Sequence, residues 1–439
     1  MFRPVRGLIK AIVLLCLFIS NQSFAFAEGN QNPEEPVPIE NETYVEEETY
    51  VNSDINSVIT ISDYTIINPK YNDVIDETNL FSNQPESSLL DEYVIHLFET
   101  IETAGAYFRK MMKERSTRIV FQMYLNDISE EALISMAESI VEYALIHTGD
   151  PEEGDYLKYQ FGGYSVDIQA WDLVDSPMPY KAEFQYDIAY FTSLDQEDRV
   201  ALAVDKILDE FGDISTKTQY QKALDLYEWI TSNVSYDSEH INDNDYRLKY
   251  TGFGAALNKT ALSQGFSLLL YRLALSLGLD ARIISGQYDG NVHTWNIIKI
   301  KDNYYNLDSA QDIGLEPESY HNFLKGNNTF SDRKKDEEYS LDSFINEFPV
   351  SDSDYDSNIL ELNFKEYTLE EGDSFRLYGY PADNITWESS DTEIVEVDRS
   401  GFLTAVKKGT AVIKAVRGSI NEECIIHVNT KNAWLEDFD

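Results

Sequence analysis

Leu262-Ser-Gln-Gly-Phe-Ser-Leu-Leu-Leu-Tyr-Arg-Leu-Ala-Leu-Ser-Leu277 is closed by Gly278. It is followed by Ala281-Arg-Ile-Ile-Ser-Gly286, Val292-His-Thr-Trp-Asn-Ile-Ile-Lys-Ile300 and Tyr304-Tyr-Asn-Leu-Asp308. In the first run Phe266, Leu269, Leu270, Leu273 and Leu277 recur at helical spacing, and the glycine after them is a common helix stop. The three later runs read as strands. Upstream, Ser193 with Gln196 opens a helix that Gly212 closes, and Thr216 opens another running to about Asn233. Further upstream, helical spacing begins near Leu90 and returns from Leu133 to Ala144 behind an Asp127/Glu130 capping pair. Between them and Ser193, Tyr164-Val166-Ile168 and Phe184-Tyr186-Ile188 alternate as strands do. Helices first and antiparallel strands after them make an α+β domain.

The spacing of the last two strands sets a geometric expectation. With a two-residue turn at Lys301-Asp302, His293 lies opposite Ala310 and diagonal to Asp308, within ~7–8 Å on one face. A three-residue turn would send the two side chains to opposite faces.

The central motifs, Phe253-Gly-Ala-Ala-Leu-Asn-Lys-Thr-Ala-Leu-Ser263-Gln-Gly-Phe-Ser, Leu279-Asp-Ala-Arg-Ile-Ile-Ser-Gly286, His293-Thr-Trp-Asn296 and Tyr304-Tyr-Asn-Leu-Asp308, together with Trp229 to Asp237 upstream, resemble the bacterial transglutaminase-like family in order and spacing. The resemblance is strong over about 216–312 and looser over 88–215. It implies a transglutaminase-like fold of the papain-like cysteine proteinase class over 88–350, with an N-terminal α/β part at 88–190 and a core at 191–350. It also implies a catalytic triad in the order nucleophile, His293, Asp308, on a cleft lined by Phe253, Gln264, Trp295 and Gln311. No cofactor and no metal belong to that chemistry. In such a site the helix N-terminus favours a thiolate, the histidine completes the activated nucleophile, and the aspartate fixes the imidazole tautomer.

The nucleophile position holds Ser263 instead of cysteine. Phe253 stands where the family commonly has tyrosine, Lys259 where a turn glycine is frequent, and Gln311 where tryptophan is usual. An alcohol stays neutral and must lose its proton during attack, so a site shaped for a preformed thiolate does not serve it automatically. Three readings stay open. The domain has lost its chemistry and binds a peptide, protein or cell-wall component in its cleft. Alternatively it is a hydrolase, peptidase or acyltransferase working through Ser263, His293 and Asp308, or it is an extracellular scaffold with an idle cleft. Ser263 alone also reads as a helix N-cap. His96, His147, His240, His321 and His427 show no paired ligand spacing and read as ordinary residues. Asp352, Asp354 and Asp356 begin like a calcium loop, but Ser357 and Asn363 break the pattern, leaving an acidic interdomain linker.

Past 350 the pattern turns all β, with strands expected near 374–380, 385–389, 394–397, 401–406, 409–416 and 422–428. Ile385-Thr-Trp387 through Gly401, Leu403 through Ile413 and Cys424-Ile-Ile-His-Val428 resemble the bacterial immunoglobulin-like domain, group 2. That implies a C-terminal all-β sandwich over 358–430, followed by a tail at 431–439. Trp387, Val395, Val397, Leu403, Val406, Ala411, Ile413 and Ile425 are expected on its inner faces.

Arg3, Arg6 and Lys10, the apolar run from Leu8 to Ile19 and Ala25-Phe-Ala27 have the pattern of an export signal over 1–27. From Glu28 to Pro69 there is no Lys or Arg, and 28–87 reads as an acidic disordered spacer. The expectation is a secreted or extracellular protein, with association to the cell surface left open. Its formal net charge is −44, and the signal carries three of its positive charges. That charge excludes nucleic acid and strong anionic-membrane binding. Cys16 and Cys424 are the cysteines; loss of the signal leaves one thiol and no internal disulfide.

Overall fold

The computed structural model describes residues 59–71, 74–82, 84–85, 95–174, 176–316, 319–356, 360–380 and 384–431. The export signal at 1–27, the spacer up to residue 58 and the tail beyond 431 lie outside them. Among the described residues no helix is long and apolar enough to cross a membrane.

The N-terminal part is a sheet of β1 (Ile59–Ile67), β2 (His96–Phe98), β3 (Arg118–Leu125), β4 (Phe161–Asp172) and β5 (Tyr180–Tyr190), ordered β1-β4-β5-β3-β2. Helices α1 (Ile101–Lys113) and α2 (Glu130–Ala144) pack on it, and the one-turn α3 (Asp155–Lys158) precedes β4. Phe108, Leu133 and Ile140 from the helices share a core with Phe121, Val166, Phe184 and Tyr186 from the strands. The spacer expected over 28–87 is corrected from residue 59 onward. Ile59-Thr-Ile-Ser-Asp-Tyr-Thr-Ile-Ile67 pairs antiparallel with β4, from Ile59 opposite Ala170 to Ile67 opposite Gly163. Tyr71, Ile75 and Leu80 are then buried against Ala189 and Phe191. The acidic run that suggested disorder ends before this apolar stretch begins. The cap of α2 also differs: Ser129 accepts from the Ala132 N–H, and Asp127 holds the Ser129 N–H instead of opening the helix.

The central part begins with α4 (Leu194–Glu210), opened by the expected Ser193/Gln196 capping box. Next comes α5 (Gln219–Asn233), whose box is Thr218/Gln221, two residues later than Thr216. Short strands β6 (Ser235–Tyr236) and β7 (Thr260–Ala261) pair in parallel and lead into α6 (Ser263–Ser276). A sheet ordered β10-β9-β8-β11 follows, from β8 (Ala281–Tyr288), β9 (Asn291–Ile300), β10 (Asn303–Leu307) and β11 (Arg333–Lys335). Helix α6 is buried all the way from Ser263 to Ala274, as befits a helix that is apolar on nearly every side. Burying each of Phe266, Leu269, Leu270 and Leu273 contributes about 1.5–3 kcal/mol and fixes the helix against the sheet. Ile298, Ile300 and Leu307 face this core, whereas Ile284, Trp295, Ile297 and Tyr304 face a second one with Phe330, Tyr339 and Phe348.

The C-terminal part is an all-β sandwich. One sheet joins Glu366–Glu370, Ile420–Asn429, Gly409–Arg417 and Thr386–Ser389; the other joins Ser374–Arg376, Phe402–Ala405 and Val395–Val397. Val395, Leu403, Ala411 and Ile413 are buried as expected, and Trp387 and Val397 pack half-buried against them. Ile425 and Val406 are instead exposed, at 40% and 47%. Cys424, Ile426 and Val428 hold the inward positions of the last strand, and period-two alternation then turns Ile425 outward. Burial pushes the Cys424 thiol up to about 12, so it behaves as a small apolar side chain.

Residues 352–356 are not a free linker. Asp354 pairs with Lys325 and accepts from the Gly326 N–H, and Tyr355 stacks on Tyr220 with ring centroids 5.3 Å apart. The buried Glu361 carboxylate accepts from the N–H groups of Gln219 (2.8 Å) and Tyr220 (3.2 Å), capping α5 from the sandwich side.

Candidate active site

The route to Ser263 is built from backbone. After a helical turn over Gly254–Asn258, Lys259 takes a left-handed conformation (φ 58°), the geometry for which glycine is favoured. The Leu262 N–H then donates to the Lys249 carbonyl, and α6 begins. A Cβ at Gly265 would lie 2.6 Å from the Ala261 Cβ and 2.8 Å from the Thr251 oxygen, so only glycine lets the first turn of the helix sit this close to its neighbours. Leu262 occupies the cap position, and Ser263 is the first helical residue; the capping role that its sequence suggests is not what it does. Its buried hydroxyl oxygen accepts from the Thr294 N–H at 3.3 Å, on the strand residue next to His293. Among the described residues no hydrogen bond joins the hydroxyl to the imidazole.

The turn between β9 and β10 has two residues, Lys301 and Asp302, with Ile300 opposite Asn303. That parity brings His293 and Asp308 onto one face, where Nε2 and Oδ2 meet at 2.7 Å. Both residues are buried. A carboxylate can only accept, so Nε2 is the donor in this contact and Nδ1 is the ring nitrogen left for another partner. The Asp308 N–H donates to the Asn322 carbonyl, and the Tyr227 hydroxyl donates to the Asp308 carbonyl at 3.0 Å.

A fourth residue joins them. Arg333 donates to the same Oδ2 through Nη2 (2.8 Å) and Nε (3.1 Å), while Asp308 Oδ1 is buried with no partner among the described residues. Nothing in the spacing pointed to Arg333; its one visible signal was the basic run Arg333-Lys-Lys335 in an acidic chain. The four expected cleft residues are distributed differently. Trp295 is buried in the second core and stacks near the His293 ring, with centroids 6.4 Å apart. Gln264 turns its amide to the Tyr71 hydroxyl and the carbonyls of Tyr159 and Tyr250, tying the N-terminal part to the helix start. Phe253 is buried in the helical core with Arg199 over its ring at 5.0 Å, and Gln311 is exposed. The Gln311 N–H donates to the Asp308 carbonyl at 3.2 Å, a turn contact that leaves its side chain away from the site.

Tyr236 stands close to the site: burial and the charge of Asp308 push its phenol up. Beyond it lies a second histidine–aspartate pair. His240 Nδ1 is 2.9 Å from the buried Asp237 and its ring stacks on Tyr246, a local pair three residues apart. The fully buried Lys249 holds this loop by donating to the carbonyls of His240, Ile241 and Asp243. Among the described residues no cluster suited to a metal ion occurs.

The model of the transglutaminase-like superfamily matches residues 211–309. Residues 211–309 are a transglutaminase-like domain. The model of the bacterial Ig-like domain (group 2) matches residues 365–428, inside the C-terminal sandwich. No curated protein matches. Solved structures with local likeness include an intimin mutant of EHEC O157:H7, 32% identical over 14% of this chain and 34% of that one, with a TM-score of 0.13. A transglutaminase is 12% identical over 48% and 58%, with a TM-score of 0.24. A protein described as a candidate cysteine protease from Cytophaga hutchinsonii is 14% identical over 40% and 69%, with a TM-score of 0.23. The chain thus spans about a third of the intimin chain and somewhat over half of the transglutaminase.

Proposed function

We propose that the transglutaminase-like domain has lost its cysteine chemistry and binds a peptide or protein chain, or a cell-wall component bearing peptides, outside the cell. The observation that carries this reading is the use of the two critical oxygens. Ser263 Oγ accepts from the Thr294 N–H and, among the described residues, has no hydrogen bond to the imidazole, and Asp308 Oδ2 is shared between His293 and Arg333. A serine nucleophile needs a base positioned to take its proton, and a thiolate site needs an imidazolium the aspartate can support. The export-like first 27 residues and the Ig-like module favour a place outside the cell.

A second reading, a serine hydrolase or acyltransferase, is favoured by the intact 2.7 Å contact between His293 and Asp308. One experiment separates the two. The purified protein is incubated with a library of N-acetylated peptides and a primary amine, and the bound and free fractions are weighed by mass spectrometry. Retention of a subset of peptides with unchanged masses is expected. Hydrolysed or amine-coupled peptides that disappear with Ser263→Ala would contradict loss of chemistry, and no retention at all would leave an idle scaffold.

A further inference from the structure

Arg333 is held so that its charge cannot leave the site. Its side chain is 3% exposed and lies between the rings of Phe330 (3.8 Å) and Tyr288 (4.4 Å). It donates to Asn322 Oδ1 at 2.9 Å and to Asp332 at 2.6 Å, besides its two bonds to Asp308. A guanidinium stays protonated throughout the accessible pH range. In a thiol version of this site the resting state would need a positive imidazole beside a thiolate, and Asp308 would have one negative charge for two cations. Like charges oppose ionisation, and little water is present to screen them.

The remaining ionisable groups around the ring do not offset this. Asp332 is 57% exposed, so its charge is largely screened. Lys335 stands opposite Gly286, which is opposite His293, and has the same sign as Arg333. Tyr288 and Tyr236 are neutral phenols, and the carboxylate of Asp312 is taken by Tyr227 and by the amides of His321 and Asn322.

We infer that Arg333 is a positioning residue that silences the His293–Asp308 pair: its fixed charge takes up the carboxylate and opposes an imidazolium at His293. This rests on the reading of a disabled site above and names the residue that keeps it disabled. Restoring the nucleophile alone then leaves a protonated thiol. Removing the charge at 333 as well permits the thiol proton to pass to the imidazole.

The test is alkylation of Ser263→Cys by iodoacetamide, followed against pH by peptide mapping at position 263. The thiolate sulfur forms a bond to carbon, iodide leaves, and the thiol proton goes through the imidazole to solvent. The single variant is expected to react slowly, with a rate that rises only toward alkaline pH. Ser263→Cys with Arg333→Met is expected to react at least ten-fold faster at pH 7, with its profile displaced to lower pH. Ser263→Cys with Arg333→Lys keeps the charge and is expected to stay slow, which a purely structural role would not produce. Arg333→Gln supplies a second neutral variant should the methionine protein unfold. Equal rates for the single and the folded neutral double variants, or equal acceleration by lysine and methionine, would overturn the role of Arg333 and leave the disabled site standing. Fast alkylation of the single variant would overturn the disabled site itself.

Discussion

The sandwich and the transglutaminase-like domain fill their interiors with different material. Leu360, Leu377, Val395, Leu403, Ile413, Cys424, Ile426 and Val428 make the sandwich core apolar throughout. The central part buries Asp237, Lys249, Arg272, Asp308 and Asp312 among its apolar residues, and Asp155 of α3 is buried against it through Arg282. A buried charge is costly unless it is paired, and replacing such networks by apolar packing is often neutral or stabilising. An arrangement this polar is therefore not explained by stability alone. It fixes loops and strand ends around the start of α6.

The largest effect is expected where a buried network loses one partner. Asp155 accepts from Arg282 at 2.8 and 3.0 Å and from the Ile283 N–H at 2.8 Å. Asp155→Ala strands that guanidinium and is expected to cost about 3–5 kcal/mol in urea denaturation. Burial alone would push the Asp155 carboxyl up, but the Arg282 charge and bonds hold it below the usual carboxylate range. A depressed carboxyl contributes stability above its unfolded pKa and loses it as pH falls through the folded value. The gap between wild type and variant should thus be full at neutral pH and shrink below about pH 4. A cost under 1 kcal/mol at pH 7 would remove the contrast between the two interiors.

Glu361 joins the two regions. Glu361→Ala uncaps α5 and is expected to cost about 1–2 kcal/mol and to separate one thermal transition into two. A single unchanged transition in calorimetry would mean that Glu361 does not couple the two regions, and two transitions already in the wild type would mean that they melt independently. On the apolar side, Ile413→Val is expected to cost about 0.5–1.5 kcal/mol with no dependence on pH between 4 and 8. A pH-dependent loss would show a coupling to the central charges that the packing does not contain. The smallest effect belongs to Lys259→Gly. Relief of the left-handed backbone is worth about 1–2 kcal/mol. Loss of the Lys259 ammonium over the Trp229 ring at 4.1 Å, about 0.5–1 kcal/mol, and the greater freedom of glycine in the unfolded chain, about 0.4–1 kcal/mol, offset it. A net change below about 1 kcal/mol in melting is expected, and a larger loss would assign Lys259 a part in the fold that the turn does not.

What was legible follows from the range of the interactions. The stripe on α6 and the parity of the β9–β10 hairpin are short-range patterns, so the meeting of His293 with Asp308 could be anticipated from a two-residue turn. Cap positions slipped by two residues at Asp127 and Thr216, because several neighbouring Ser, Thr and Asp side chains compete for the same role and only the backbone geometry selects among them. Ile425 was assigned inward because Cys424-Ile-Ile is apolar at every position and carries no alternation. The strand at Ile59 was hidden by the composition of the acidic run before it. Arg333 shows in the sequence only as part of a basic run: it reaches Asp308 across 25 residues through an edge strand of three, and no local period announces such a contact.

The central claim, a transglutaminase-like domain without working nucleophile chemistry, is tested most directly by a fluorophosphonate probe. The wild-type protein is incubated with the probe at pH 7 and peptides spanning Ser263 are sequenced by tandem mass spectrometry. No adduct at Ser263 is expected, because among the described residues no imidazole nitrogen is hydrogen-bonded to its hydroxyl, which accepts only from the Thr294 N–H. A stoichiometric adduct at Ser263 that vanishes in His293→Ala would contradict it and establish a working serine triad.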